Sequence, residues 1–158
     1  MANQHAVITT RLLLEYQGQV LFLKQTSKNG GGFTLPGGRA EVFEYAKQAL
    51  VRETREETGV KIKKNDLQLV HIIHHQMKQT SEFVLFFKAE QWFGELKIKE
   101  PEKFKKTVWI PYTNLPEKMP LILQFAFKQI QQQLVYSEYP GSVKAKVVMV
   151  PPKTEETT

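Results

Sequence analysis

The sequence predicts one mixed α/β domain, and three observations predict it. Apolar segments rich in β-branched and aromatic residues recur along the chain. One stretch without Gly or Pro has helical composition, and a late stretch places its apolar residues at helical spacing. With 158 residues, 41% hydrophobic and 24% charged, the chain can bury one core. We read a single domain over residues 1–150 and a short polar tail, expected to be disordered, over 151–158.

Residues 6–15 and 19–24 are apolar and joined at Gly18, which predicts a hairpin of largely buried strands. Asn29-Gly30-Gly31-Gly32 and then Leu35-Pro36-Gly37-Gly38 are breaker clusters, so 26–43 is expected to be an irregular loop whose backbone can approach a ligand. Residues 46–58 are rich in Ala, Gln, Glu, Arg and Leu and are followed by Gly59 at a C′ position, predicting a helix. Strands are expected over 67–75, 82–90 and 107–110, and a second helix over 121–136. Residues 141–150 read as a terminal strand or an extended tail, able to cover a sheet edge of this chain or of a second copy. The sequence does not choose between a monomer and a homodimer.

Charge and composition narrow the function classes. The absence of cysteine removes disulfide scaffolds, thiolate metal sites and cysteine nucleophiles, and points to a reducing, cytoplasmic compartment. No apolar run approaches the roughly 18 residues of a membrane span, so a soluble protein is expected. The net charge of +6 favours anionic partners such as nucleotides or nucleic acid. Against that balance, acidic residues bunch between Glu41 and Glu57.

The first helix explains why that matters. At about 100° per residue, Ala46, Ala49, Leu50, Glu53, Glu56 and Glu57 fall within roughly 60° of one direction, so three carboxylates share the apolar stripe. Lys47, Gln48, Thr54 and Arg55 lie on the other side and read as its solvated face. Carboxylates are almost never buried unpaired, so something cationic must meet these three. A hard divalent ion such as Mg2+, with Mn2+ as an alternative, accounts for oxygen-only ligands. Arg52 or Arg55 turning inward is the competing account.

Gly38, five residues, Glu44, seven residues, then Arg52-Glu53-Thr54-Arg55-Glu56-Glu57-Thr58-Gly59-Val60 resembles the Nudix box of the MutT-type hydrolases, GX5EX7REUXEEXGU. Every fixed position matches; Thr54 departs, being polar where an aliphatic residue is usual. Phe43 and Tyr45 stand where Gly and a small hydroxyl residue are frequent, and Phe33 where Trp is common. The resemblance implies an α/β/α sandwich with a mixed sheet, the box forming loop, helix and loop. It further implies hydrolysis of a nucleoside diphosphate linked to another moiety. Glu53, Glu56 and Glu57 are then the expected metal ligands with the Gly37 carbonyl, and Glu44 and Arg52 hold them in place. Phe33, Gly38 and Arg39, on the approach to the box, are expected to meet substrate.

A further carboxylate outside the box often completes the site in similar enzymes, and Glu100, after the strand expected at 82–90, is the candidate. The competing reading is that Glu95, Glu100 and Glu102 balance the lysines of that loop. Aromatics near the loops, Phe33, Phe43, Trp92 and Phe93, could stack on a base but are more often core. His71, His74 and His75 read as polar strand residues, and no zinc site is indicated. Within the resemblance, the leading expectation is cleavage of a (d)NTP, including oxidised or modified ones, to (d)NMP and pyrophosphate. The alternatives are an ADP-ribose or nucleotide-sugar pyrophosphatase, cleavage at RNA 5′ ends, and a module that binds nucleotide or RNA without turnover.

Overall fold

The computed structural model describes residues 5–141. Seven strands and two helices follow in the order β1 (His5–Tyr16), β2 (Gln19–Gln25), β3 (Phe33–Thr34), α1 (Ala46–Thr58), β4 (Gln68–Gln76), β5 (Thr80–Ala89), β6 (Phe104–Pro111), α2 (Leu121–Gln131) and β7 (Tyr136–Tyr139). The strands join in one mixed sheet ordered β3-β2-β1-β5-β4-β7, with β6 added on β2. One helix packs on each face, giving the expected α/β/α sandwich. Among the described residues no helix is long and apolar enough to cross a membrane.

Alternation along the strands divides the core between the two faces. Leu12, Leu14, Leu21, Phe87 and Ala89 meet Leu50 of α1, whereas Leu13, Phe22, Val84 and Phe86 meet Leu123, Ala126 and Phe127 of α2. Strands buried on both sides read as nearly continuous apolar runs, which is why Leu12–Leu14 of β1 and Phe83–Phe87 of β5 are unbroken apolar stretches.

The β1–β2 hairpin turns at Gln17 and Gly18, both at positive φ, but its strands pair only at Glu15↔Val20 and Tyr16↔Gln19. Beyond that point they diverge, and the approach to α1 fills the gap as an improvised strand. Leu12 N–H donates to the Pro36 carbonyl (2.9 Å), Thr10 N–H to that of Gly38 (2.8 Å) and Ala40 N–H to that of Ile8 (2.9 Å). On its other edge β1 pairs in parallel with β5 from His5↔Thr80 to Leu14↔Ala89.

Three expectations need correction. The second helix was expected to reach residue 136 but ends at Gln131, and β7 follows in parallel with β4. The outer edge of β4 requires backbone partners: Ile72 N–H donates to the Val135 carbonyl (2.8 Å), and His71 bridges the Leu134 carbonyl (2.7 Å) and Ser137 Oγ (2.8 Å). Leu134, whose spacing suggested helix, is half-exposed. The expected loop over 26–43 contains a short 3-10 turn at Ser27–Asn29 and the two-residue strand β3. The terminal strand or tail expected beyond Gly141, and the tail over 151–158, lie outside the described residues.

Helix α1 departs from expectation at its start and at Thr54. Its bounds and the left-handed Gly59 stop are as expected, with Gly59 N–H donating to the Arg55 carbonyl (2.9 Å). Tyr45 at the N-cap supplies no side-chain cap, and Gln48 Oε1 instead accepts from the Tyr45 N–H (2.9 Å). Thr54, expected on the solvated face, is fully buried, because the helix sinks between the sheet and the segments that follow it. Its hydroxyl has no hydrogen-bond partner. Replacing a buried, unpaired hydroxyl by a methyl removes a desolvation cost at nearly constant shape. Thr54→Val is therefore expected to stabilise the fold by about 1 kcal/mol, raising Tm by roughly 2–4 °C. A thermal melt showing a lower Tm would contradict this account of the position.

Candidate active site

The acid-bearing side of α1 faces the Leu35-Pro36-Gly37-Gly38 approach, which β1 holds in place. Thr10 grips Gly38 twice, since its Oγ1 also donates to the Gly38 carbonyl (3.0 Å). Gly37 sits at φ 133°, and a Cβ there would lie 2.1 Å from the Thr10 carbonyl oxygen. A Cβ on Gly38 would lie 2.5 Å from Glu53 Cδ. Gly37 cannot carry a side chain, and one on Gly38 would displace the Glu53 carboxyl, so the backbone lies directly against the carboxylates.

Glu57 is buried, and its Oε2 accepts one hydrogen bond, from the Gly37 N–H (3.0 Å). Burial pushes its carboxyl from the ordinary 4.5 up to about 8, opposed by that hydrogen bond and by the Arg11 guanidinium; Glu53 and Glu100 push in the same direction as burial. Glu100, the expected further carboxylate, adds negative charge toward Glu57 but makes no direct contact with it among the described residues. It is also paired with Lys103 (2.7 Å), as the competing reading had it.

Glu53 and Glu56 share one cation. Arg52 Nη1 donates to Glu53 Oε1 (3.0 Å) and Glu56 Oε2 (3.4 Å), its Nε and Nη2 clasp both oxygens of Glu44 (2.9 and 3.0 Å), and Nη2 also reaches the Arg39 carbonyl (3.2 Å). The fork pulls Glu44 below its usual carboxylate range. Arginine suits this post because its planar donors serve several carboxylates at fixed angles. The competing account holds for two of the three acids, since Arg52 turns in toward Glu53 and Glu56, and among the described residues Glu57 has no guanidinium in contact. Among the described residues no three acidic or histidine side chains already converge as a finished metal cage.

The other expected site residues are scattered. The Arg39 side chain is exposed, and only its backbone joins the cluster. Phe33 packs against the α2-side core with Lys24 Nζ 4.3 Å from its ring centroid, away from the carboxylates. Trp92 meets Tyr16 edge-on and Trp109 at a tilt, packing as part of the fold. His71 ties β7 to β4, while His74 lies flat on Phe83 at 4.5 Å.

A further charged residue, outside every motif in the sequence, reaches the cluster. Arg11 projects from β1 beneath the approach loop, donating to the Leu35 (3.4 Å) and Gly37 (3.2 Å) carbonyls. Its charge is felt by Glu57, Glu82 and Glu53. The available signal was a lone charge inside the otherwise uncharged run 6–14. Arg11 also lines a 160 Å3 cavity with Thr9, Thr34, Glu82 and Leu123, where Thr9 Oγ1 donates to Glu82 Oε1 (2.6 Å).

Comparison with known proteins gives this geometry a context. The NUDIX domain model matches residues 4–132. The chain belongs to the NUDIX family. The family membership expected from the box stands on the same match. Among curated relatives, the NAD-capped RNA hydrolase NudC of Escherichia coli O1:K1 is 30% identical over 97 residues, covering 61% of this chain. That stretch is 36% of NudC, so the chain spans about a third of the length of the curated relatives it matches. Among solved structures, the MutT NUDIX hydrolase from Burkholderia pseudomallei superposes with TM-score 0.70 at 21% identity, over 80% of this chain and 98% of that one. The MutT protein from Methanosarcina mazei Go1 superposes with TM-score 0.69 at 18% identity, over 84% and 98%. These structural likenesses establish the fold.

The buried Glu57 carries a stability consequence. Between pH 4.5 and about 8 the native state retains a proton that the unfolded chain has released, so native stability falls as pH rises through that window and levels off above it. In chelator at pH 8, Glu57→Gln is expected to stabilise the protein by roughly 2–4 kcal/mol, and the gain should vanish below pH 4.5. Urea titrations across this range check it; a variant no more stable than wild type at pH 8 would contradict the burial argument.

Proposed function

We propose that this Nudix domain is an active, divalent-cation-dependent hydrolase of nucleoside diphosphates linked to a further moiety, with a (d)NTP cleaved to (d)NMP and pyrophosphate as its leading reaction. The observation that carries this reading is the buried Glu57 beside Glu53 and Glu56, with the Gly37-Gly38 backbone pressed onto them. A buried carboxylate costs stability unless a cation offsets it, and the donor set is all oxygen, which suits Mg2+ or Mn2+.

Glu53, Glu56 and Glu57 would hold the ion with the Gly37 carbonyl, and Glu100 would add a further carboxylate. When bound, such an ion neutralises diphosphate oxygens and makes a water acidic enough to attack near neutral pH. The chain's own residues do the rest. Arg52 and Glu44 fix the carboxylates at their posts, and Arg52 is positioned to release Glu53 and Glu56 when another cation arrives. Arg11 aims the Gly37 carbonyl. Glu53, held against Gly38, takes the proton of the attacking water. The cavity of Arg11, Thr9 and Glu82 offers donors and acceptors to a base or ribose.

A second reading is hydrolysis at a modified RNA 5′ end, supported by the activity named for the NudC relatives and by the charge of +6. ADP-ribose or nucleotide-sugar cleavage would use the same carboxylates with a different occupant of the cavity. Chromatography of products from (d)NTPs, ADP-ribose and nucleotide sugars is expected to show NMP and pyrophosphate from triphosphates with Mg2+, and none with chelator. Glu53→Gln and Glu56→Gln should each lower the rate about 100-fold or more. Rates within twofold of wild type would remove both residues from the mechanism. A shift in Tm with nucleotide but no product at all would mark a binding module instead.

A further inference from the structure

A groove of about 830 Å3 runs along the solvent side of α1, outside the carboxylate cluster but touching it. Arg52 and Glu56 stand in its wall, so it opens directly from the residues proposed to hold the diphosphate. Arg55, Lys61, Lys64 and Lys99 line the remainder, and among the described residues none of the four has a carboxylate within 4.0 Å. Val51 and Ile62 add apolar surface between them.

Four unpaired cations around one concavity repel one another, and the lysine stems leave apolar surface uncovered. A ligand with several spaced negative charges and apolar parts between them answers both features. The volume lies toward the upper end of the roughly 300–1,000 Å3 typical of organic-ligand sites, far beyond one phosphate. A strand of nucleic acid has that composition: phosphates for the cations, base faces for the apolar surface. Continuity with Glu56 sets the polarity, because a strand in the groove would present its end to the hydrolytic site. RNA chains start with a 5′-polyphosphate, which contains the linkage such a site cleaves, whereas DNA strands do not.

We propose that this groove is a binding track for single-stranded RNA, which lays its first nucleotides along Arg55, Lys61, Lys64 and Lys99 while its 5′ diphosphate linkage reaches the carboxylates. The inference rests on the second reading above and adds to it the surface that distinguishes an RNA end from a free nucleotide.

The test is fluorescence anisotropy with a 12-nucleotide 5′-triphosphate RNA, in chelator, over a salt series starting at 50 mM. Wild type should bind with a steep salt dependence. The doubly charge-reversed variant Lys61→Glu, Lys64→Glu should lose at least tenfold in affinity, and its log–log salt slope should flatten by roughly 1.4, two single-strand phosphate contacts at about 0.7 each. Turnover of a free (d)NTP should stay within twofold of wild type, because neither lysine belongs to the carboxylate network, and an unchanged Tm reports that the variant folds. Absence of RNA binding by wild type, or equal affinity in the variant, would overturn the track. So would inorganic tripolyphosphate competing as well as RNA at equal phosphate concentration, which would reduce the groove to a small-anion site. Turnover on the same samples separates the two readings. Lost hydrolysis with RNA binding intact counts against the enzyme, and hydrolysis with unchanged RNA binding in the variant counts against the groove.

Discussion

The whole arrangement around α1 answers to one costly feature, a glutamate buried against the sheet with a single backbone N–H for company. Glu57 can be tolerated because Gly37 brings that N–H to 3.0 Å and because Arg11 lends positive charge from below. Gly37 can do so only because Thr10 and Leu12 hold the approach loop as a makeshift strand in the gap between β1 and β2. That gap exists because the hairpin strands pair for two residues and then part. Sheet geometry, loop path and carboxylate burial are thus a single construction, with the protonation of Glu57 as its electrostatic expression.

Glu53 and Glu56 are handled differently. They sit at the edge of the buried stripe, and Arg52 supplies the counter-charge from the helix itself while its other donors tie Glu44 and the Arg39 carbonyl into the same network. A guanidinium is a removable partner, since it can retain Glu44 when the other two carboxylates find a stronger cation. The buried acid and the two shared acids therefore offer distinct degrees of readiness for a metal: one lacks a full counter-charge, and two hold a provisional one. Systems that keep such strain at a site commonly give up stability there.

The grouping of the candidate site residues was more legible in the sequence than the strand order, for a physical reason. Glu53, Glu56 and Glu57 belong to one helix, so their shared face depends on local periodicity and is legible from spacing, whereas Glu44 and Arg52 were joined to them by the resemblance to the box. Gly37 and Gly38 were legible because a missing side chain can only mean backbone shape or close approach. Elements fixed by distant partners were not. β7 exists because β4 has an open edge and a buried His71 to satisfy, and nothing in residues 132–139 announces it. Thr54 lies where α1 is covered by segments following it in the chain, so a wheel of one helix placed it in solvent. Arg11 was overlooked because a lone charge in a strand ordinarily reads as an edge residue rather than as a group held beneath a loop.

The central claim is that the α1 carboxylates form a divalent-cation site on which hydrolysis depends. Anomalous diffraction from crystals soaked in Mn2+ tests it most directly, because it locates the ion without relying on turnover. The account requires an anomalous peak bounded by Glu57, Glu53 or Glu56 and the Gly37 carbonyl, with Arg52 drawn back from the carboxylate it gave up. A peak elsewhere, or an undisturbed Arg52 network with no peak at saturating Mn2+, would contradict it and leave these acids as a structural ion-pair cluster.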